Sequence, residues 1–263
     1  MMELFLQLDT WAALITLTFL EIILGIDNII FISISSNKLP EHQRKKATMT
    51  GLALAMITRV ILLFSISYLT KMSTLLFTIH TSWFQTGVSI QSLILFFGGV
   101  FLIFKSTKEI RQKMEESQLK TEVKNSKKFS LSKVIFQIIL IDIVFSFDSI
   151  LTAVGMTNGI DGAFTIMIIA VIISMIIMMA FANSVNKFVS KNPTIQMLAL
   201  SFLILIGFML ITEGAHLSNT LIFDNLVGSI PKGYLYFAIV FSLGVEFLNM
   251  SITKNNRETP SKN

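Results

Sequence analysis

Asp27 follows Glu21 by six positions in EIILGIDNII (21–30), and Asp148 follows Asp142 by six in DIVFSFDSIL (142–151). Each second acid is followed by a small polar residue, Asn28 or Ser149. Carboxylates, an amide and hydroxyls are hard oxygen donors, the set that suits Mg²⁺, Ca²⁺ or Mn²⁺. Zn²⁺ or Cu⁺ would draw on His or Cys. The chain has no cysteine, and no histidine lies near either segment. The same absence excludes disulfides and thiolate metal sites. Paired acids can also trade protons as general acid and base, as an intramembrane hydrolase would require. Two matched copies suit access from two sides better than one-sided chemistry. The chain is therefore not expected to be an enzyme, with no catalytic residue and no prosthetic group.

Both segments lie inside long apolar runs. The chain is 53% hydrophobic and 14% charged, with a mean hydropathy of +0.72, whereas soluble domains carry about 25% charged residues. The apolar runs are continuous, not alternating, which argues against a β-barrel and for an all-α membrane protein. A carboxylate near the bilayer midplane costs ~2.5–3.5 kcal/mol on insertion scales. Four of them need a compensating interaction.

Spans of about twenty apolar residues read as seven transmembrane helices: 10–36, 46–70, 88–104, 134–156, 163–183, 194–212 and 234–252. The third is short and extends into KSTKEIRQ, and 72–87 reads as an interfacial segment with Trp83 in the aromatic belt. In this arrangement 18 Lys and Arg residues fall on one side, Lys71 and Lys232 on the other, and Arg59 inside the second span. The positive-inside rule then puts the N-terminus outside and the C-terminus in the cytoplasm. The bases lie in loops, so they report topology and not nucleic-acid binding. The start, MMELFLQLDT, has no basic residue, which is the wrong beginning for a cleaved signal, and the first span is expected to be retained. A single transmembrane domain, 1–253, is expected, with 105–133 a solvated, partly helical connector and 254–263 a disordered tail. His80, His216, Glu213 and Asp224 fall on the outer side, as ordinary loop and helix-end residues or as an exit-side metal site.

The two acidic segments align Glu21 with Asp142, Asp27 with Asp148 and Asn28 with Ser149. IQSLILFFGGVFLIF (90–104) likewise resembles IQMLALSFLILIGFM (195–209). Repeat one is then 10–104 and repeat two 134–212, with 234–252 as an added seventh helix. Three spans per repeat force the second copy to be inverted, the plan of many secondary transporters with midplane sites. Each acid lies ~5 Å from the midplane at 1.5 Å per residue. Glu21 should share a depth with Asp148, and Asp27 with Asp142. Two acids six residues apart point ~120° apart on a straight helix. Either the helices unwind at Gly25 and Ser146, freeing carbonyls as ligands, or the acids form two stacked sub-sites. Arg59, the single base inside a span, can neutralise one carboxylate. Three negative charges remain if all ionise, and Glu246 in the seventh span adds a fourth.

At these residues the sequence resembles the TerC family of bacterial membrane proteins. EIILGIDNIIFISI and IDIVFSFDSILTAVGM are similar to its two signature segments, and RKKATMTGLALAMITRVILLF, GGVFLIFKSTKEI and LSFLILIGFMLITEG to its other blocks. The resemblance implies a multi-pass protein of the bacterial cytoplasmic (inner) membrane in an inverted-repeat cation-exporter family. Characterised members export Mn²⁺, and some are linked to tellurite resistance or to metalation of exported proteins. It implies a metal site of Asp27, Asn28, Asp148 and Ser149, with Glu21 and Asp142 as the preceding acids. Arg59 and Glu246 would tune its charge. The expected function is secondary-active export of a divalent cation, Mn²⁺ ahead of Ca²⁺ or Mg²⁺, coupled to H⁺, Na⁺ or the membrane potential. No G-x-x-x-x-G-K-[ST] sequence is present to bind a nucleotide. The rival is a membrane-protein assembly or metalation factor without transport of its own.

Overall fold

The computed structural model describes residues 8–65, 74–118, 130–157, 160 and 162–258. Within them the side chains of Leu24, Ile26, Asp27, 116–118, Asp148, Leu151 and 253–258 lie outside the description. Among the described residues, seven helices are long and apolar enough to cross a membrane. They are α1 (Leu8–Ser36), α2 (Glu41–Phe64), α3 (Ile90–Gln118), α4 (Leu131–Met156), α5 (Ala163–Lys191), α6 (Pro193–Leu217) and α7 (Lys232–Glu258). Several outrun the apolar stretches that announce them. α3 carries helix through the first part of the 105–133 connector, α5 reaches Lys191, and α7 continues into the stretch read as tail. Lys, Glu, Arg and Gln are good helix formers, so a helix need not stop where hydrocarbon does. Arg111 Nε, for example, donates to Glu115 Oε1 at 2.7 Å across one turn.

The all-helical expectation needs one correction. β1 (Leu75–His80), β2 (Phe84–Ser89), β3 (Leu221–Ile222) and β4 (Asn225–Leu226) form an antiparallel sheet in that order. It ties the α2–α3 connection to the α6–α7 connection. LLFTIH is too short to span a bilayer and pairs its backbone instead. Phe223 and Asp224, both at positive φ (49° and 61°), make the two-residue turn between β3 and β4. The backbone N–H of Phe223 donates to the carbonyl of Trp83 at 2.9 Å, and Trp83 stays exposed, as a belt residue should.

The helices pack in three main pairs: α3 on α6, α1 on α5, and α2 on α4. α3 and α6 are antiparallel, since Gly214 meets Ser92 at one end and Lys113 donates to Gln196 at the other. Between these, α3 and α6 touch backbone to backbone. A Cβ on Gly99 would stand 2.4 Å from the carbonyl oxygen of Gly207 and close to Ile211. A Cβ on Gly207 would stand 2.8 Å from the carbonyl oxygen of Gly99 and close to Ile103. This reciprocal contact is the small-residue approach by which helices associate in lipid, where apolar burial drives little. Gly99→Leu should therefore cost ~1–3 kcal/mol by overpacking, read as a lower unfolding temperature in detergent. Gly155→Ala, where nothing lies within 4 Å of the new Cβ, should leave that temperature unchanged or raise it.

Candidate functional site

α1 and α4 cross antiparallel. Gln137 Nε2 donates to Ser35 Oγ at 3.4 Å, and further along Asn28 Nδ2 donates to Asp142 Oδ1 at 3.4 Å. α2 runs parallel to α4, with Ile138 seated against Gly51. That contact carries Arg59, two turns beyond Gly51, to the crossing. There one Nη of Arg59 donates to Asp142 Oδ1 at 3.1 Å and the other pairs with Glu21 Oε2. Ser146 Oγ, one turn beyond Asp142, donates to Asp142 Oδ2 at 3.2 Å. Glu21, Arg59 and Asp142 are 3%, 1% and 5% exposed, so bulk solvent screens these charges little.

Arg59 thus holds two carboxylates, not the one that a base in a neighbouring span was expected to neutralise. Its planar fork of donors suits such bridging. Two carboxylates against one guanidinium leave a net negative charge when all are ionised. Two buried polar atoms here have no hydrogen-bond partner among the described residues, Asn28 Oδ1 and Arg59 Nε. A buried unsatisfied group costs ~1–3 kcal/mol. The amide oxygen of Asn28 is an acceptor without a donor, beside a carboxylate.

Helices α1 and α4 are unbroken through Gly25 and Ser146. The unwinding considered from sequence does not occur, and no backbone carbonyl is freed there. Gly25 serves packing instead: a Cβ there would fall 2.0 Å from Met178 Sδ of α5. The side chains of Asp27 and Asp148 lie outside the described residues. Their backbone positions adjoin Asn28 and Ser149 in continuous helix. Ser149 is buried and donates to the carbonyl of Ser146 at 3.2 Å. Glu246 lies elsewhere, half-buried on the peripheral α7, and makes no hydrogen bond or ion pair among the described residues.

A model of the integral membrane protein TerC family matches residues 6–261. The chain belongs to the TerC family. UPF0053 inner membrane protein YgdQ of Escherichia coli (strain K12) is 47% identical over 250 residues, covering 94% of this chain and 95% of its own. A UPF0053 protein of Haemophilus influenzae is 42% identical over 246 residues, with the same coverage. Escherichia coli UPF0053 protein YegH is 42% identical over 255 residues, which is 96% of this chain but 44% of YegH. No solved structure matches. Like the relatives so named, this TerC-family chain is a multi-pass protein of the bacterial inner membrane.

Three further polar features surround the site in this TerC-family protein. A cavity reaches Arg59 from the α6–α7 end, between Phe145 and Met209, with Glu213 and Lys232 among its lining. Of the four outer-side residues singled out from sequence, Glu213 borders this cavity. His216 Nδ1 instead lies 3.2 Å from the carbonyl oxygen of Val227, and among the described residues no three His, Asp or Glu side chains cluster to hold a metal. Towards the opposite end, Asn186 of α5 accepts from Ser33 Oγ at 2.9 Å and donates to Ser36 Oγ and Thr48 Oγ1 at 3.2 and 3.3 Å. Sequence reasoning missed it. Its signal was an amide following the apolar run of α5, opposite the ISISS end of α1. Last, Lys38 and Lys105 both pair with the buried Glu109, Lys105 at 2.9 Å. Burial lowers the Lys38 ammonium below the usual lysine range, although Glu109 pulls it back up.

Proposed function

We propose that this TerC-family protein is a secondary-active exporter of a divalent cation, Mn²⁺ ahead of Ca²⁺ or Mg²⁺. The observation that carries the reading is the partnerless amide oxygen of Asn28, buried beside Asp142 in a cluster whose carboxylates outnumber its one base. A hard cation supplies what that oxygen and the surplus charge lack. The proposed ligands are Asp27, Asn28, Asp148 and Ser149, with Glu21 and Asp142 exchanged between the cation and Arg59. Arg59 is then a tethered counter-ion, compensating Glu21 and Asp142 when the cargo is elsewhere and yielding them when it arrives.

Two features support alternating access by inverted repeats. α1 is antiparallel to α4, and α3 to α6. α2 is antiparallel to α5, with Thr48 meeting Asn186 at one end and Phe64 meeting Phe164 at 5.0 Å between ring centres at the other. The Gly99–Ile211 and Gly207–Ile103 contacts are also reciprocal across the α3–α6 crossing, in a register three residues from the one that aligns 90–104 with 195–209. With the N-terminus outside by the basic-residue count, the cavity at Arg59 opens outwards, the side of release. Coupling is to H⁺, Na⁺ or the membrane potential. The test is ion flux into proteoliposomes holding the purified full chain. Saturable Mn²⁺ flux, exceeding that of Ca²⁺ and Mg²⁺, is expected. No flux of any of the three from folded protein would overturn the exporter reading in favour of an assembly or metalation factor.

A further inference from the structure

We propose that the groove between the start of α2 and the end of α5 binds a phosphate-bearing anion, the phosphodiester headgroup of an anionic membrane lipid. Arg44 and Lys45 of α2 face Lys187 and Lys191 of α5 across it. None of these four takes part in the ion pairs formed among the described residues. Glu41 is the one acid in the lining, so four positive charges face one negative. A surplus of that sign repels a divalent cation, which separates the groove from the cargo's path.

The remaining chemistry is also that of an anion site. Arg44 Nε is tied to the carbonyl of Leu39 at 2.9 Å, which fixes the guanidinium while leaving its Nη groups for a phosphate fork. Ser190 in the lining donates to Asn37 Oδ1 at 2.8 Å. The amide nitrogen of that Asn37 is buried and finds no acceptor among the described residues. Position selects the source of the phosphate. The groove lies where the apolar stretches of α2 and α5 give way to charge, at headgroup depth, and Phe181, exposed further along α5, offers the acyl chains an apolar wall. Basic pockets between transmembrane helices on the cytoplasmic side bind headgroups of this kind.

The proposal is independent of transport, and its test reads binding alone. Purified full chain is mixed with phosphatidylglycerol or phosphatidylcholine in detergent, and retained lipid is counted by native mass spectrometry. Phosphatidylglycerol should be retained and phosphatidylcholine not. A basic residue near an anionic surface is worth about fivefold in affinity, so Arg44→Gln with Lys187→Gln should weaken retention about 25-fold. Lys108→Gln with Arg111→Gln, which lie together on a separate surface of α3, should leave it unchanged. Inorganic phosphate is the second arm. If it raises the unfolding temperature of wild type but not of the Arg44/Lys187 variant, and no lipid is retained, the phosphate site stands and its ligand is a solute. Equal phosphatidylglycerol retention by wild type and the Arg44/Lys187 variant, or equal loss in the control pair, would overturn the site.

Discussion

Asp27→Asn and Asp148→Asn should each abolish Mn²⁺ flux without weakening the fold. Groups that merely orient metal ligands are worth ~10–100-fold in affinity, so loss of an ionised ligand should lower transport by at least ~100-fold. Stability should move the other way. Each substitution removes a charge whose insertion costs ~2.5–3.5 kcal/mol, and neither residue is needed to compensate Arg59, which already has Glu21 and Asp142. Flux into proteoliposomes and unfolding temperature in detergent, read on the same preparations, separate the two effects. Wild-type flux in either variant would remove that aspartate from the path. Lost flux with lost fold would show the carboxylate to be structural.

Much of this arrangement is legible in the sequence, because a bilayer punishes exceptions. Seven runs of about twenty apolar residues give seven helices, and an acid within such a run stands out by its cost alone. The antiparallel crossing of α1 and α4 also sets Asn28 against Asp142, in line with the depth shared by residues 27 and 142. What stays hidden is rotation and close approach. Arg59 is visible as a lone buried base, but its second carboxylate depends on how α2 turns against α4, which Ile138 seated on Gly51 decides. Gly25 reads equally well as a hinge or as a gap for a neighbour, and only Met178 of α5, distant in sequence, distinguishes them. The sheet escapes for another reason. β3 and β4 are two residues each, too short for any periodicity, and β1 has the composition of an interfacial segment.

Arg59→Met should destabilise the protein severely, by ~3–5 kcal/mol, because it strips the counter-ion from two carboxylates that are almost wholly buried. Removing all three charges together is a different perturbation. Replacing a complete buried ion set by well-packed hydrophobic residues of similar volume is often neutral or stabilising. Arg59→Met combined with Glu21→Met and Asp142→Leu should therefore recover an unfolding temperature near wild type, followed by the fluorescence of Trp11 and Trp83. The recovered protein should still transport nothing, since the charge that attracts the cargo and the base that replaces it are both gone. Rescue of fold without rescue of flux would identify the cluster as functional machinery that stability alone does not require. A single Arg59→Met variant as stable as wild type would mean that Glu21 and Asp142 do not need Arg59 as their counter-ion. The cluster's surplus negative charge would then no longer call for a cation, and the exporter reading would lose half its physical basis.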